Sequence, residues 1–298
     1  MNITTEQLTK VYRGGRRALD SVDLHIDQGT VGLLGANGAG KTTLLRILTG
    51  VLRPTSGRVL VGGNDLSTTA GLTAAKRGLG YLPQELTLYP DLTAREFLDY
   101  IAVLKGIHSK RERRRQVEER LREVGLEERA GERLAAFSGG MRRRIGIAQA
   151  LLGNPSVLVV DEPTTGLDPH ERMRFRALLA GLGGHRTVLL SSHILDDVAQ
   201  TCPHVAVIAS GRLVFHDSTT ALAGQAAGYT YLVRGHGPAA QPPAGAQVVS
   251  AVTTAAGEAE YRVVTATPPA GARPAEPSLE DGYAALLATD TGRGAAGR

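Results

Sequence analysis

An α/β fold with an open parallel sheet is expected for this chain, on three observations. Short apolar runs at residues 31–34, 79–82, 157–160 and 187–190 are unbroken rather than alternating, which suits strands covered on both faces. Segments with apolar residues three and four positions apart lie between them and read as helices. Each run is followed by glycine or polar residues, and the C-terminal edge of such a sheet is where ligands bind.

Residues 3–30 read as strands and turns, with Val22, Leu24 and Ile26 alternating with Asp23 and His25. The run 31–34 leads into Gly35-Ala36-Asn37-Gly38-Ala39-Gly40-Lys41-Thr42-Thr43, a match to G-x-x-x-x-G-K-[ST], and then into a helical pattern of Leu44, Leu45 and Leu48. Glycines let successive N–H groups and the helix N-terminus point at phosphates. Lys41 then offers a charge to the β/γ-phosphates and Thr42 a hydroxyl to Mg²⁺. The expected ligand is a nucleoside triphosphate.

The other runs deliver chemistry to the same edge. The run 79–82 ends in Pro83-Gln84, whose amide can reach the metal or the attacking water. The run 157–160 ends in Asp161-Glu162: Asp161 suits Mg²⁺, directly or through water, and Glu162 suits a base that orients and deprotonates water. The run 187–190 leads through Ser191-Ser192 to His193, which can contact the γ-phosphate from the far side. Singly, each of these residues also suits a solvated loop or a surface position. Together they point to one site.

Between Gln84 and Ser138 two helical patterns occur, one with Phe97, Ile101 and Leu104, the other with Val117, Leu121 and Val124. Ser138-Gly139-Gly140-Met141 opens a further helix with Met141, Ile145, Ala148 and Leu152 on one face, stopped by Asn154-Pro155. Ser138 stands at its N-terminus, where hydroxyl and dipole are available to an anion, although an ordinary capped helix reads the same way.

With these residues in order, residues 1–220 resemble the nucleotide-binding subunit of ATP-binding-cassette (ABC) transporters: the phosphate loop, Gln84, the signature at 138–141, Asp161-Glu162, the loop Gly166-Leu167-Asp168 and His193. The resemblance implies a P-loop ATPase core with a helical subdomain over about 86–150, whose groove receives a short helix of a membrane subunit. It implies adenine stacking on Tyr12, a nucleotide contact from Asp168, and ATP with Mg²⁺ as ligands. Lys41, Gln84, Glu162 and His193 become the catalytic set, with Thr42, Gln84 and Asp161 at the metal. It further implies a homodimer in the ATP-bound state, each nucleotide lying between residues 35–43 of one chain and Ser138, Gly139 and Gly140 of the other. One departure is visible, since Phe137-Ser138-Gly139-Gly140-Met141 lacks the Gln of the usual LSGGQ.

Composition fits such a subunit. The chain of 298 residues with 42% hydrophobic residues has length for one large domain and a smaller one. Its apolar runs fall far below the roughly 18 residues that span a bilayer, and Met1-Asn2-Ile3-Thr4 begins no signal peptide. The expected location is the cytoplasmic face of the membrane, beside an integral permease. The single cysteine, Cys202, excludes an internal disulfide and reads as a packed thiol.

A net charge of +5 raises nucleic acid as a partner. The arginines are interleaved with glutamates, as in Arg111-Glu112-Arg113 and Glu118-Glu119-Arg120, without aromatic residues among them, so a solvated helix face is expected instead. Arg142-Arg143-Arg144 is a tighter cluster, read as a solvated face or as a contact to phosphate or an acidic partner. ABC ATPases acting on DNA ends carry a long coiled coil before the signature, translational ones usually join two cassettes, and a small-molecule kinase would leave Ser138-Gly139-Gly140 and His193 unexplained.

Residues 221–298 are expected to form a small α+β accessory region. Strands are read at 229–233, 247–252 and 260–265, a Gly/Pro/Ala-rich linker at 235–245, a helix at 278–288, and a disordered Gly/Ala/Arg tail after it. Ser278-Leu279-Glu280-Asp281 resembles a C-terminal stretch of drug- and antibiotic-efflux ABC ATPases. A dimer-stabilising or regulatory role is expected for the region.

Overall fold

The apolar runs become four adjacent strands of a six-stranded sheet in a computed structural model that describes residues 2–182, 184–235, 246–253 and 258–295. The chain first forms β1 (Ile3–Val11), β2 (Arg17–Ile26), β3 (Gly29–Leu34), α1 (Lys41–Leu48), β4 (Ser56–Val61), β5 (Asn64–Asp65), α2 (Thr69–Gly78) and β6 (Leu79–Leu82). The helices α3 (Ala94–Leu104), α4 (Lys110–Glu123) and α5 (Gly139–Leu151) follow. Then come β7 (Val157–Asp161), α6 (Pro169–Ala180), β8 (Thr187–Ser191), α7 (Leu195–Thr201), β9 (His204–Ala209) and β10 (Arg212–Ser218).

Strand order in the large sheet is β10-β9-β3-β8-β7-β6, with β9, β3, β8, β7 and β6 running parallel to their neighbours. Every residue of β7 and β8 is buried, which is why both runs are unbroken. The register aligns strand ends: Leu82 lies opposite Val160, and Ser191 opposite both Asp161 and Leu33. Gly35, Gln84, Glu162 and His193 therefore leave the sheet at one edge.

A second, antiparallel sheet of order β2-β1-β4-β5 covers α1. Val22, Leu24 and Ile26 of β2 point inward beside Leu44, Leu45 and Leu48 of α1, while Asp23 and His25 are exposed. Burying Leu44, Leu45, Ile47 and Leu48 contributes on the order of 1.5–3 kcal/mol each, which fixes α1, and with it the phosphate loop, against both sheets.

The three helices α3, α4 and α5 pack against one another. Thr93 and Glu96 form a capping box at the start of α3, and Ser109 accepts from the Glu112 N–H to cap α4. The solvated-face expectation for α4 is only partly met. Arg120 is 5% exposed, pairs with Glu123 and reaches Asn154 Oδ1 at 3.3 Å, and Arg113 pairs with Asp99 at 2.9 Å. The reason is that α4 has neighbours on two sides, so arginines facing α3 and α5 are carried inside with their acceptors.

Two compact units divide the chain at His216 and Asp217. The second holds α8 (Thr219–Gly224), the strands β11 (Thr230–Gly235), β12 (Gln247–Thr253), β13 (Ala259–Val264) and β14 (Arg273–Pro274), and α9 (Leu279–Ala295). Its sheet runs in the order β12-β13-β11-β14, and Ala226, Val264 and Ala284 are buried together. Arg262 forms a two-pronged contact with the buried Asp281 carboxylate, whose Oδ2 also accepts from Ser278. Gly235 ends β11, and the rest of the expected linker, 236–245, lies outside the described residues. The expected disordered tail is corrected in part: α9 continues past Ala288 to Ala295, because Gly and Ala there remain compatible with helix, and 296–298 lie outside the described residues. Among the described residues no helix is long and apolar enough to cross a membrane.

Candidate functional site

Between β3 and α1 the loop 35–43 turns on its glycines. Gly40 has φ 116°, and a Cβ there would stand 2.6 Å from the Ala18 carbonyl oxygen, so only glycine fits. Gly40 is also the N-cap of α1 and supplies no side-chain acceptor, which leaves the first N–H groups of α1 available to an anion. Lys41 is 6% exposed and donates from Nζ to the carbonyls of Gly35 at 2.6 Å and Ala36 at 3.3 Å. Burial holds its ammonium below the ordinary lysine range, and the Glu162 and Asp161 carboxylates oppose that shift.

At the end of β7 the two carboxylates are both buried, Asp161 at 1% and Glu162 at 6% exposure. Burial pushes the Asp161 carboxyl up, the Ser191 hydroxyl beside it opposes the shift, Glu162 reinforces it, and Lys41 opposes it. Asp161 Oδ1 is buried without a hydrogen-bond partner. An orphaned carboxylate oxygen beside a phosphate loop is the donor expected of a Mg²⁺ site completed by phosphates and water, so Thr42, Asp161 and Gln84 fit that ion. Among the described residues no cluster of three or more His, Cys, Asp or Glu could hold a metal by protein side chains alone.

Glu162 has a left-handed backbone, φ 47°, uncommon outside glycine. Its N–H donates to the Ser191 carbonyl at 3.0 Å, its Oε2 lies 2.6 Å from His193 Nδ1, and the Thr165 hydroxyl approaches Oε2 at 3.4 Å. The carboxylate is thus held between two strand ends. His193 is half exposed and faces the same cavity.

That cavity, about 580 Å³, brings together Tyr12, Ala36, Asn37, Gly38, Gly40, Lys41, Thr42, Thr43, Gln84, Glu162 and His193. Gly35, Ala39 and Asp161 do not line it. Tyr12 lies at its wall with its hydroxyl 3.2 Å from Thr43 Oγ1, and Arg16 lies 5.5 Å from the Tyr12 ring centroid. Arg16, Arg17 and Arg46 line the cavity as well, and sequence reasoning passed over them. The signal was there in the basic pair four residues after Tyr12, since a triphosphate calls for cations.

Ser138, Gly139, Gly140 and Asp168 are not brought to this cavity. Ser138 is exposed and caps α5, accepting from the Met141 N–H at 3.2 Å. Asp168 caps α6, accepting from the Glu171 N–H at 2.8 Å. Met141 is buried, so the residue replacing the usual Gln packs rather than reaching outward. The reading of Arg142-Arg143-Arg144 as a solvated face is corrected: Arg142 is exposed, whereas Arg143 is 8% exposed and Arg144 pairs with Glu171 at 3.6 Å. One turn of α5 faces the sheet, and it takes Arg143 inward.

A family model described as ABC transporter matches residues 19–165. The chain is 40% identical over 243 residues to the uncharacterized ABC transporter ATP-binding protein sll0415 of Synechocystis, covering 78% of this chain and 67% of that protein. It is 39% identical over 215 residues to the bacitracin transport ATP-binding protein BcrA of Bacillus licheniformis, covering 71% and 68%. Among solved structures, the ATP-binding cassette MJ0796, a dimer in a post-hydrolysis state bound to ADP and Pi, superposes with a TM-score of 0.65 at 28% identity, covering 72% of this chain and 98% of that one.

Proposed function

The chain belongs to the ATP-binding proteins of ABC transporters and hydrolyses ATP to power transport, and we propose that it does so with Glu162 as base, in a head-to-tail pair of chains that drives an exporter. The observation that carries this reading is the shared cavity of Lys41, Gln84, Glu162 and His193 at the end of the phosphate loop.

In this account adenine stacks on Tyr12, and the triphosphate lies along 36–43 with the N–H groups at the start of α1 turned toward it. Lys41 exchanges its carbonyl partners for β/γ-phosphate oxygens. Thr42, Asp161 and Gln84 would hold Mg²⁺, which would supply positive charge to offset that of the triphosphate. Water attacks the γ-phosphorus as Glu162 takes its proton, the bond from the γ-phosphorus to the bridging oxygen breaks, and the electron pair leaves with ADP. His193 keeps the Glu162 carboxylate oriented and faces the γ-phosphate.

The second half of each site is supplied in trans. Ser138 and Gly139 are exposed and, with the buried Gly140, stand at a helix start away from the chain's own cavity, which supports contact with the nucleotide of a partner chain. ATP then closes the dimer and hydrolysis reopens it, and that cycle works the membrane subunit. We assign residues 1–220 to this motor and 221–298 to a dimer-stabilising or regulatory accessory role. Export is supported by the resemblance of 278–281 to efflux ATPases. The chain acts at the cytoplasmic face of the membrane through its permease, without nucleic acid.

Affinity capture from detergent-solubilised membranes tests the assignment. A polytopic membrane protein retained with the chain is expected; ribosomal proteins or DNA in its place would overturn it.

A further inference from the structure

Arg143 carries five hydrogen bonds, and all of them end on backbone carbonyls of two loops that flank the cavity. Nε donates to Pro163 O at 2.9 Å; Nη1 donates to Pro83 O at 3.2 Å and Gln84 O at 2.6 Å; Nη2 donates to Asp161 O at 3.3 Å and to Glu162 O. A guanidinium has five N–H groups, so every donor is used. No other side chain could do this. Lysine offers three donors and glutamine two, and neither has the planar fork.

The burial of this cation is also unusual in its partners. Among the described residues Arg143 meets no carboxylate at hydrogen-bond distance; burial lowers its affinity for a proton, and the charges of Asp161 and Glu162 oppose that effect. Carbonyl dipoles therefore solvate it. In return it satisfies the carbonyl of Glu162, a residue with a left-handed backbone, whose other donor is the more distant Thr165 N–H at 3.5 Å.

We propose that Arg143 is a positioning residue for hydrolysis: by gathering the carbonyls of Pro83, Gln84, Asp161, Glu162 and Pro163 on one guanidinium, it sets the Glu162 carboxylate and the Gln84 amide in register with each other and with the helix that begins at Ser138. This rests on the reading of Glu162 as base. Arg143 touches no reacting atom. It acts by holding the two loops, so that an event at the N-terminus of α5 is felt at both strand ends within a few residues. A rigid mount of this kind matters because a misplacement of about 1 Å in a catalytic group costs on the order of 100-fold in rate.

The test compares Arg143→Lys and Arg143→Gln with Glu162→Gln in the full chain, measuring ATP affinity, steady-state turnover, circular dichroism and segment-resolved hydrogen exchange. In both Arg143 variants turnover is expected to fall roughly 10–100-fold, with the ATP dissociation constant within about twofold of wild type. Exchange is expected to rise in 84–86 and 162–167 and to stay unchanged in 35–43. Wild-type turnover in Arg143→Lys and Arg143→Gln, beside a dead Glu162→Gln, would overturn the positioning role and leave the base assignment standing. Turnover retained in Glu162→Gln would overturn both. Loss of folded protein in both Arg143 variants, or equal loss of ATP affinity and turnover, would make the residue a structural one and overturn the proposal.

Discussion

His193 places Nδ1 2.6 Å from Oε2 of Glu162, so the imidazole after β8 and the carboxylate after β7 form one hydrogen-bonded pair at the cavity wall. The pairing follows from strand register, because Asp161 and Ser191 are opposite each other and the two chains leave the sheet side by side.

Glu162→Gln preserves size and the ability to hydrogen bond but removes the proton acceptor. Turnover is expected to fall at least ~10²-fold with ATP binding retained, and the ATP-bound dimer should accumulate on gel filtration. Normal turnover in the purified variant would refute the role of Glu162.

His193→Ala leaves the base in place but unoriented. The expected result is a smaller loss, roughly 10-fold in turnover, with ATP affinity retained, read by steady-state kinetics beside equilibrium binding. A drop in affinity with unchanged turnover would assign His193 to binding instead.

Tyr12→Ala removes a stacking face worth on the order of 1 kcal/mol, so the ATP dissociation constant should rise several-fold in a calorimetric titration. Tyr12→Phe keeps the face and loses only the contact to Thr43 Oγ1, so its affinity should stay near wild type. Equal weakening by both substitutions would make the hydroxyl, not the ring, the working group.

Lys105, just past α3, donates to the carbonyls of Leu79 at 3.2 Å and Ala150 at 3.4 Å, and burial pushes its ammonium down to about 8. In the unfolded chain it titrates near about 10.4, so between these values the unfolded state binds more protons and stability rises with pH. Below about 8 both states are protonated and the contribution is constant. Urea midpoints from pH 7 to about 10 should therefore rise for wild type relative to Lys105→Met above about 8. Parallel profiles would contradict the shift.

Much of this site was legible in the sequence because its strands are buried on both faces, and an unbroken apolar run followed by a polar residue is visible without coordinates. Gln84, Glu162 and His193 were found in that way, and Lys41 by its glycine spacing. Arg143 was not, since three consecutive arginines are chemically alike and only the packing of α5 against the sheet separates the buried one from its neighbours. Nor could the left-handed backbone at Glu162 be read, because glycine is the usual mark of that conformation and it is absent there. The inward arginines of α4 escaped for the same reason as Arg143: charge pattern shows acceptors nearby but not which side faces a neighbour.

The central claim is that each ATP is completed by Ser138 of the other chain. Ser138→Arg and Lys41→Ala homodimers should each be inactive, while in a mixed dimer both lesions fall in one composite site and the other site stays intact. The most direct measurement uses a different mixed dimer, isotope-labelled Lys41→Ala/Glu162→Gln chains paired with unlabelled Glu162→Gln chains, and ATP carrying a photoreactive γ-phosphate. The labelled chain cannot hold the triphosphate in its own loop, so the account predicts crosslinks at 138–141 of the labelled chain. Crosslinks confined to the unlabelled chain, whose own loop holds the nucleotide, would contradict it.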